Sequence, residues 1–338
     1  MVKEARDEIE KVIVVDHLAK NFEITIKEAG FFGKIHSLLK TQKKIIRALK
    51  NISFTINRGE FVGFIGPNGA GKTTTLKILS GVLYPSSGFV QVLGFEPWQR
   101  DEEYLRKISL VMGQKNQLWW DLPASDTFEL NRAIYQIPTS KYKESLNELV
   151  DLLDVKKILN IQVRKLSLGQ RMRLELVAAL LHSPKILFLD EPTMGLDVVV
   201  QQKVRDFLFE YNKKFKTTII LTSHNMDDIM DLTKRVIVVD KGKIIFDGLL
   251  RELVSKFAKE KIITVYFSKA IDVKKLDEVG NVKRFNYPKA VVSVSREVAA
   301  MAAAQILENF PVADLTVEEE PIDEVIRRFF RGEKDLSG

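Results

Sequence analysis

The chain has 338 residues, 45% hydrophobic and 29% charged, with a formal net charge of +7, which allows one large domain plus a smaller one and permits anionic partners without selecting any. It contains no cysteine, which excludes a disulfide framework, cysteine-ligated zinc and thiol catalysis, and fits a reducing cytosol. No apolar run approaches the ~18 residues of a membrane span, and Met1–Glu10 is charged, so neither a spanning helix nor a secretory signal is expected.

Ile13–Leu18 and Ile52–Ile56 read as strands, and Phe61–Ile65 is a short apolar run between Gly59 and Gly66 that reads as a buried strand. Thr73–Leu79 reads as a helix, and Gly88–Leu93 and Ile108–Met112 as strands. Ala124 to about Asn160 has a helical pattern, and Gln170–His182 is a further helix rich in Leu and Ala. Ile186–Leu189 and Thr218–Leu221 are aliphatic strands, followed by a hairpin of Val236–Asp240, a Lys241-Gly242 turn and Lys243–Phe246. Strands alternating with helices predict an α/β fold with a mostly parallel sheet, and the helical block at 124–182 an insertion into it. After about Leu250 the order becomes strand Ile262–Ser268, helix Ile271–Val279, strands Val282–Tyr287 and Val291–Val294, helix Arg296–Asn309, strand Asp314–Glu319 and helix Ile322–Phe330. That β-α-β-β-α-β order resembles the split-βαβ, ferredoxin-like motif and predicts a small α+β domain over 259–338.

Gly66-Pro67-Asn68-Gly69-Ala70-Gly71-Lys72-Thr73 matches G-x-x-x-x-G-K-[ST], with a predicted strand before it and a helix after it. Glycines let the backbone turn and bring its N–H groups close to phosphate oxygens. Those groups lead into a helix N-terminus, which favours anions. Lys72 is placed to reach the β- and γ-phosphates of ATP, Thr73 to bind Mg²⁺ through its hydroxyl, and Thr74 continues the loop. Asp190 ends an apolar strand where a carboxylate can hold the metal, and Glu191 follows it, free to orient or deprotonate an attacking water.

Further motifs make the pattern specific. Leu166-Ser167-Leu168-Gly169-Gln170 resembles the signature of ATP-binding-cassette (ABC) ATPases, and Ile186–Glu191 resembles their Walker B strand with its following glutamate. Gly195-Leu196-Asp197 looks like their D-loop, Gln114 like their Q-loop glutamine and His224 like their switch histidine, all in the family's order over roughly residues 10–250. The resemblance implies a RecA-like, mostly parallel core sheet with an antiparallel β subdomain and a helical insertion. It implies that Gln114 touches Mg²⁺ or the water, that His224 contacts the γ-phosphate, and that Ser167 and Gly169 contact ATP held by another subunit. Where the commonest signature has glycine, this chain has Leu168. An aromatic residue that stacks on adenine is expected before the second strand; Phe22 fits best, the alternative being that it only packs in the core.

The family reading implies the ATP-hydrolysing subunit of a transporter, exporter-like because of its C-terminal extension. Such a subunit would pair head to tail with a second copy or a paralogous ATPase subunit. It would drive a separate transmembrane permease from the cytoplasmic face of the membrane, with no nucleic acid expected. The competing reading is a soluble ABC ATPase acting on ribosomes or nucleic acid, but the chain has one cassette and no sustained heptads. A P-loop GTPase is disfavoured by the lack of an Asn-Lys-x-Asp motif. Within Lys27–Lys44, Phe31, Phe32, Ile35, Leu38 and Leu39 fall on one helical face and Lys34, Lys40, Lys43 and Lys44 make the rest basic. Such a helix docks on a membrane or partner, or packs on its own domain. Trp119-Trp120 suits an interface, or burial against the helical insertion.

Overall fold

The computed structural model describes residues 10–26, 42–113, 115–321, 324–326 and 328. The chain divides into two units, Met1–Leu249 and Leu250–Gly338. In chain order the first runs β1 (Lys11–Ile26), β2 (Gln42–Asn57), β3 (Phe61–Ile65), α1 (Lys72–Leu79), β4 (Ser87–Val92), α2 (Glu102–Leu105), β5 (Ile108–Met112), α3 (Ala124–Ile134), α4 (Thr139–Leu152), α5 (Leu168–Leu180), β6 (Ile186–Asp190), α6 (Val198–Phe215), β7 (Thr218–Thr222), α7 (Met226–Leu232), β8 (Arg235–Asp240) and β9 (Lys243–Leu249).

The main sheet has the order β5-β6-β7-β3-β8-β9, parallel except for the antiparallel edge strand β9. Every residue of β3 and β7 is buried, as are the first four of β6. Strands covered on both faces need no alternation, which is why they read as unbroken aliphatic runs. The carboxyl ends of β3, β5, β6 and β7 release the loops that carry the predicted motifs, the edge of an open α/β sheet where ligands bind.

A second, antiparallel sheet has the order β2-β1-β4. Its inward residues, among them Leu18, Ile52, Ile56 and Val90, share one apolar core with Phe64 and Leu76, and the Phe54 and Phe64 ring centroids lie 5.7 Å apart. β1 and β2 are 16 residues each, far longer than the sequence predicts, and pair from Lys11↔Asn57 to Ile26↔Gln42. Register shifts between Val15 and Asn21, with His17 at φ 50°, break the period-2 pattern that would have revealed this length. Lys43 and Lys44, expected in a basic helix, are strand residues paired with Thr25 and Ile24. The apolar face expected from Phe31 to Leu39 lies outside the described residues, as do Lys34 and Lys40.

The helical stretch predicted from Ala124 to Asn160 is two helices. α3 ends where Gln136 takes φ 52°, and Pro138 starts α4. α6 was not foreseen, although buried Val204, Phe207, Leu208 and Tyr211 follow the i, i+3, i+4, i+7 pattern. Among the described residues no helix is long and apolar enough to cross a membrane.

The second unit runs α8 (Leu250–Phe257), β10 (Glu260–Phe267), α9 (Val273–Asp277), β11 (Asn281–Asn286), β12 (Lys289–Ser295), α10 (Ala299–Asn309) and β13 (Val312–Glu319). The sheet order β11-β12-β10-β13, antiparallel throughout, puts β12 between β10 and β11, the split-βαβ arrangement read from the sequence. Ile263, Val265 and Phe267 pack with Val292, Ala302 and Ile306 in its core. Most of the final helix expected at Ile322–Phe330 lies outside the described residues. Within the rest, Val325 and Ile326 are buried, and Arg328 pairs with Glu260 at 3.2 Å and with Glu320.

Candidate functional site

The loop from Gly66 to Gly71 leaves β3 and enters α1. A Cβ on Gly66 would lie 2.2 Å from the Val239 carbonyl oxygen, so only glycine lets the loop start against β8. Gly71 takes φ 112° at the N-terminus of α1, where no side chain caps the free N–H groups. The Lys72 ammonium donates to the carbonyl oxygens of Gly66 at 2.6 Å and Pro67 at 3.3 Å. Burial lowers its pKa, and the nearby charges of Glu191 and then Asp190 oppose that shift.

The Thr73 hydroxyl donates to both carboxylate oxygens of Asp190, at 3.0 and 2.8 Å, and the Thr222 hydroxyl donates to Asp190 Oδ1 at 2.6 Å. Asp190 is the last residue of β6, so the ladder of the sheet sets its position. Glu191 follows with φ 53°, left-handed backbone that costs of order 1 kcal/mol or more for a residue with a side chain. Its Oε2 lies 3.3 Å from His224 Nδ1, beyond the end of β7.

Phe22 sits on β1 opposite Ile46 of β2 and is 36% exposed, not a core residue. The Lys20 ammonium lies 5.1 Å from its ring centroid. Phe22, Gly66, Pro67, Asn68, Gly69, Ala70, Gly71, Lys72, Thr73, Thr74, Asp190, Glu191 and His224 line one cleft of about 840 Å³. The sequence reading missed Ile46, Arg47 and Lys115 in its walls. Lys115 directly follows the motif glutamine, and the other two face the cleft only because of the β1–β2 register. Gln114 itself lies outside the described residues.

Ser167, Gly169, Gln170 and Asp197 do not line this cleft. Ser167 Oγ accepts from the Gln170 N–H at 3.2 Å, and Gln170 Oε1 accepts from the Ser167 N–H at 2.9 Å, a reciprocal cap that starts α5 at Leu168 rather than near Gln170. Leu168 takes the place of the usual glycine without disturbing this cap. Asp197 caps α6 by accepting from the Val200 N–H at 3.0 Å. A Cβ on Gly169 would lie 2.8 Å from Val200 Cγ1, so the signature turn and the start of α6 pack tightly.

Trp119 and Trp120 are both about half exposed, with the Arg171 guanidinium 4.9 Å from the Trp120 ring centroid. Beside them, buried Glu175 of α5 accepts from the backbone N–H groups of Gln117 at 2.8 Å and Leu118 at 3.2 Å. Burial raises its pKa, against those two hydrogen bonds and Arg171. Nothing in the local sequence marked this glutamate, because its partners are backbone groups 57 and 58 residues away.

An "ABC transporter" family model matches residues 49–194, and an "EvrA-like ABC transporter, C-terminal domain" model matches residues 259–318. The ABC transporter ATP-binding protein NatA of Bacillus subtilis is 30% identical over 230 residues, which is 68% of this chain and 93% of that protein. Several other relatives are longer proteins, of which the chain spans 31% or less. Among solved structures, the dimeric ATP-binding cassette MJ0796, in a post-hydrolysis state bound to ADP and Pi, is 25% identical with a TM-score of 0.59, over 71% of this chain and 99% of that one. With the phosphate loop, the Asp190–Glu191 strand end and the capped signature turn in place, the chain belongs to the ATP-binding proteins of ABC transporters, a family of ATP-hydrolysing enzymes.

Proposed function

We propose that this chain is the ATP-hydrolysing subunit of a multi-component exporter, pairing head to tail with a second copy, or with a paralogous ATPase subunit, around two MgATP. In this reading it is peripheral to the cytoplasmic face of the membrane and drives a separate transmembrane permease. The second unit, whose last stretch, Pro321–Phe330, resembles in sequence the tail of exporter-type subunits, serves dimerisation or regulation.

The observation that carries the reading is the separation of the motifs. Lys72, Thr73, Asp190, Glu191 and His224 share a cleft that Ser167 and Gly169 do not line. A γ-phosphate held at Lys72 lacks signature contacts unless another chain supplies them. Around the signature turn and D-loop, Leu168, Met194, Val198 and Val199 are exposed, up to 75% at Val198, as suits an interface.

The residues present fit MgATP. The N-terminus of α1 is free of any side-chain cap, and the hydroxyl of Thr73 with the carboxylate of Asp190 are the hard oxygen donors that Mg²⁺ takes alongside phosphate and water. MgATP supplies the scissile phosphoanhydride and the cation that neutralises its oxygens. In this reading the loop N–H groups and Lys72 bind the phosphates, Thr73, Asp190 and Gln114 serve the metal, and Phe22 supports the base. Glu191 accepts the proton of the attacking water, and His224 holds the reacting phosphate in line.

Glu191→Gln tests the assignment in the full-length chain. Turnover falls by about 10²–10⁴-fold, ATP binding persists, and light scattering detects a dimer that needs ATP. A monomer at saturating ATP with normal turnover overturns the base assignment. A tagged full-length chain should also carry a multi-span membrane protein with it from detergent-solubilised membranes.

A further inference from the structure

The ladder joining β6 to β7 ends at the Asp190–Thr222 pair, one residue before Glu191 and two before His224. One more backbone contact follows, the Glu191 N–H donating to the Thr222 carbonyl at 3.0 Å. Beyond it the sheet no longer fixes one turn against the other, yet Glu191 and His224 must face each other across a few ångströms.

A fully buried carboxylate bridges the gap. Asp228, in the first turn of α7, is 0% exposed and does not line the cleft. Its Oδ2 accepts from the Thr193 hydroxyl, two residues past Glu191, at 2.5 Å, and from the Ser223 hydroxyl, next to His224, at 2.7 Å. Its Oδ1 accepts from Arg205 Nη1 of α6 at 3.1 Å, which offsets the cost of burying the charge. Ser223 Oγ in turn accepts from the Asn225 N–H at 3.0 Å, so the clamp reaches both sides of His224. A second strut runs alongside. Gln201 Nε2 donates to the carbonyls of Thr193 at 3.3 Å and Leu196 at 3.1 Å, and Gln201 Oε1 accepts from Asn225 Nδ2 at 3.3 Å.

We propose that Asp228 is a positioning residue for hydrolysis: clamped between the hydroxyls of Thr193 and Ser223, it holds the turn bearing Glu191 in register with the turn bearing His224. The proposal rests on the reading of Glu191 as the base and His224 as its partner at the reacting phosphate. Asp228 does not line the cleft that holds Glu191 and His224. It acts through two loop ends that the Gln201 strut also joins, and small misplacements of reacting groups are costly in rate. Gln201 ties the Thr193 turn to Leu196 and to Asn225, linking the D-loop to the residue after the switch histidine.

The test is steady-state ATP hydrolysis by the full-length chain carrying Thr193→Val, Ser223→Ala, both, or Thr193→Ser. Each of the first two removes one hydroxyl and leaves the carboxylate paired with Arg205. Each should lower kcat about tenfold with KM for ATP within about twofold. The double variant should lose little more than the worse single one, because both limbs end on one oxygen. Thr193→Ser should restore kcat to within about twofold of the parent, since it returns the hydroxyl. A kcat unchanged in both single variants overturns the proposal, as does a loss that tracks the folded fraction or KM, or a Thr193→Ser variant no better than Thr193→Val. Glu191→Gln, run alongside, separates the two ideas. If it retains turnover, the base assignment fails. If it is inactive while the hydroxyl variants match the parent, only the role of Asp228 fails.

Discussion

Two helices of the first unit begin at motifs associated with phosphate, and they begin differently. α1 starts at Gly71 in left-handed backbone with no side-chain cap, so its first N–H groups remain open to a ligand. α5 starts at Ser167 with a reciprocal cap, and the Gln170 and Ser167 N–H groups already have partners. The first end has no side-chain cap, whereas the second has one that takes up the Gln170 N–H. In the proposed reading, the first receives nucleotide and the second is brought up to a nucleotide held by another chain.

The largest expected effect breaks the open end. Lys72→Ala removes the only side-chain cation bonded to the loop carbonyls of Gly66 and Pro67 among the described residues, and should weaken ATP binding by about 10–100-fold in an equilibrium titration. Unchanged affinity would mean that the loop N–H groups suffice. Ser167→Ala tests the closed end. It should cost about 1 kcal/mol in thermal or denaturant unfolding as a lost cap, and also lower turnover while leaving ATP affinity of the separate chain unchanged. Lost stability with full turnover would make Ser167 a cap and nothing more. Phe22→Ala, at the rim of the open site, should raise KM for ATP by about 2–10-fold with kcat preserved. A KM equal to the parent's would show that the ring gives the base no support.

The motif residues were legible because phosphate chemistry fixes both residue type and spacing. Gly66, Lys72, Thr73 and Asp190 have few substitutes at their positions, and the parallel sheet was visible in the unbroken runs at Phe61–Ile65 and Ile186–Leu189. What stayed hidden depends on pairing across long distances. The length of β1 and β2 was masked by bulges, so Ile46 and Arg47 could not be seen as neighbours of Phe22. In the sequence Asp228 is one acid among Asp227, Asp228 and Asp231, and only the fold sets it apart by burying it between two hydroxyls. α6 differs, since its apolar spacing at Val204, Phe207, Leu208 and Tyr211 is present in the sequence itself.

Glu175 gives the closed helix end a mechanical meaning. It grips the backbone of Gln117 and Leu118, just past Gln114, from eight residues along α5 from Ser167, a span of about 12 Å of helix. A helix is stiff along its axis, and a buried carboxylate with two backbone donors does not let go cheaply. α5 therefore joins the backbone at Gln117, beside the exposed Trp119 and Trp120, to the signature turn at Ser167 through one continuous helix.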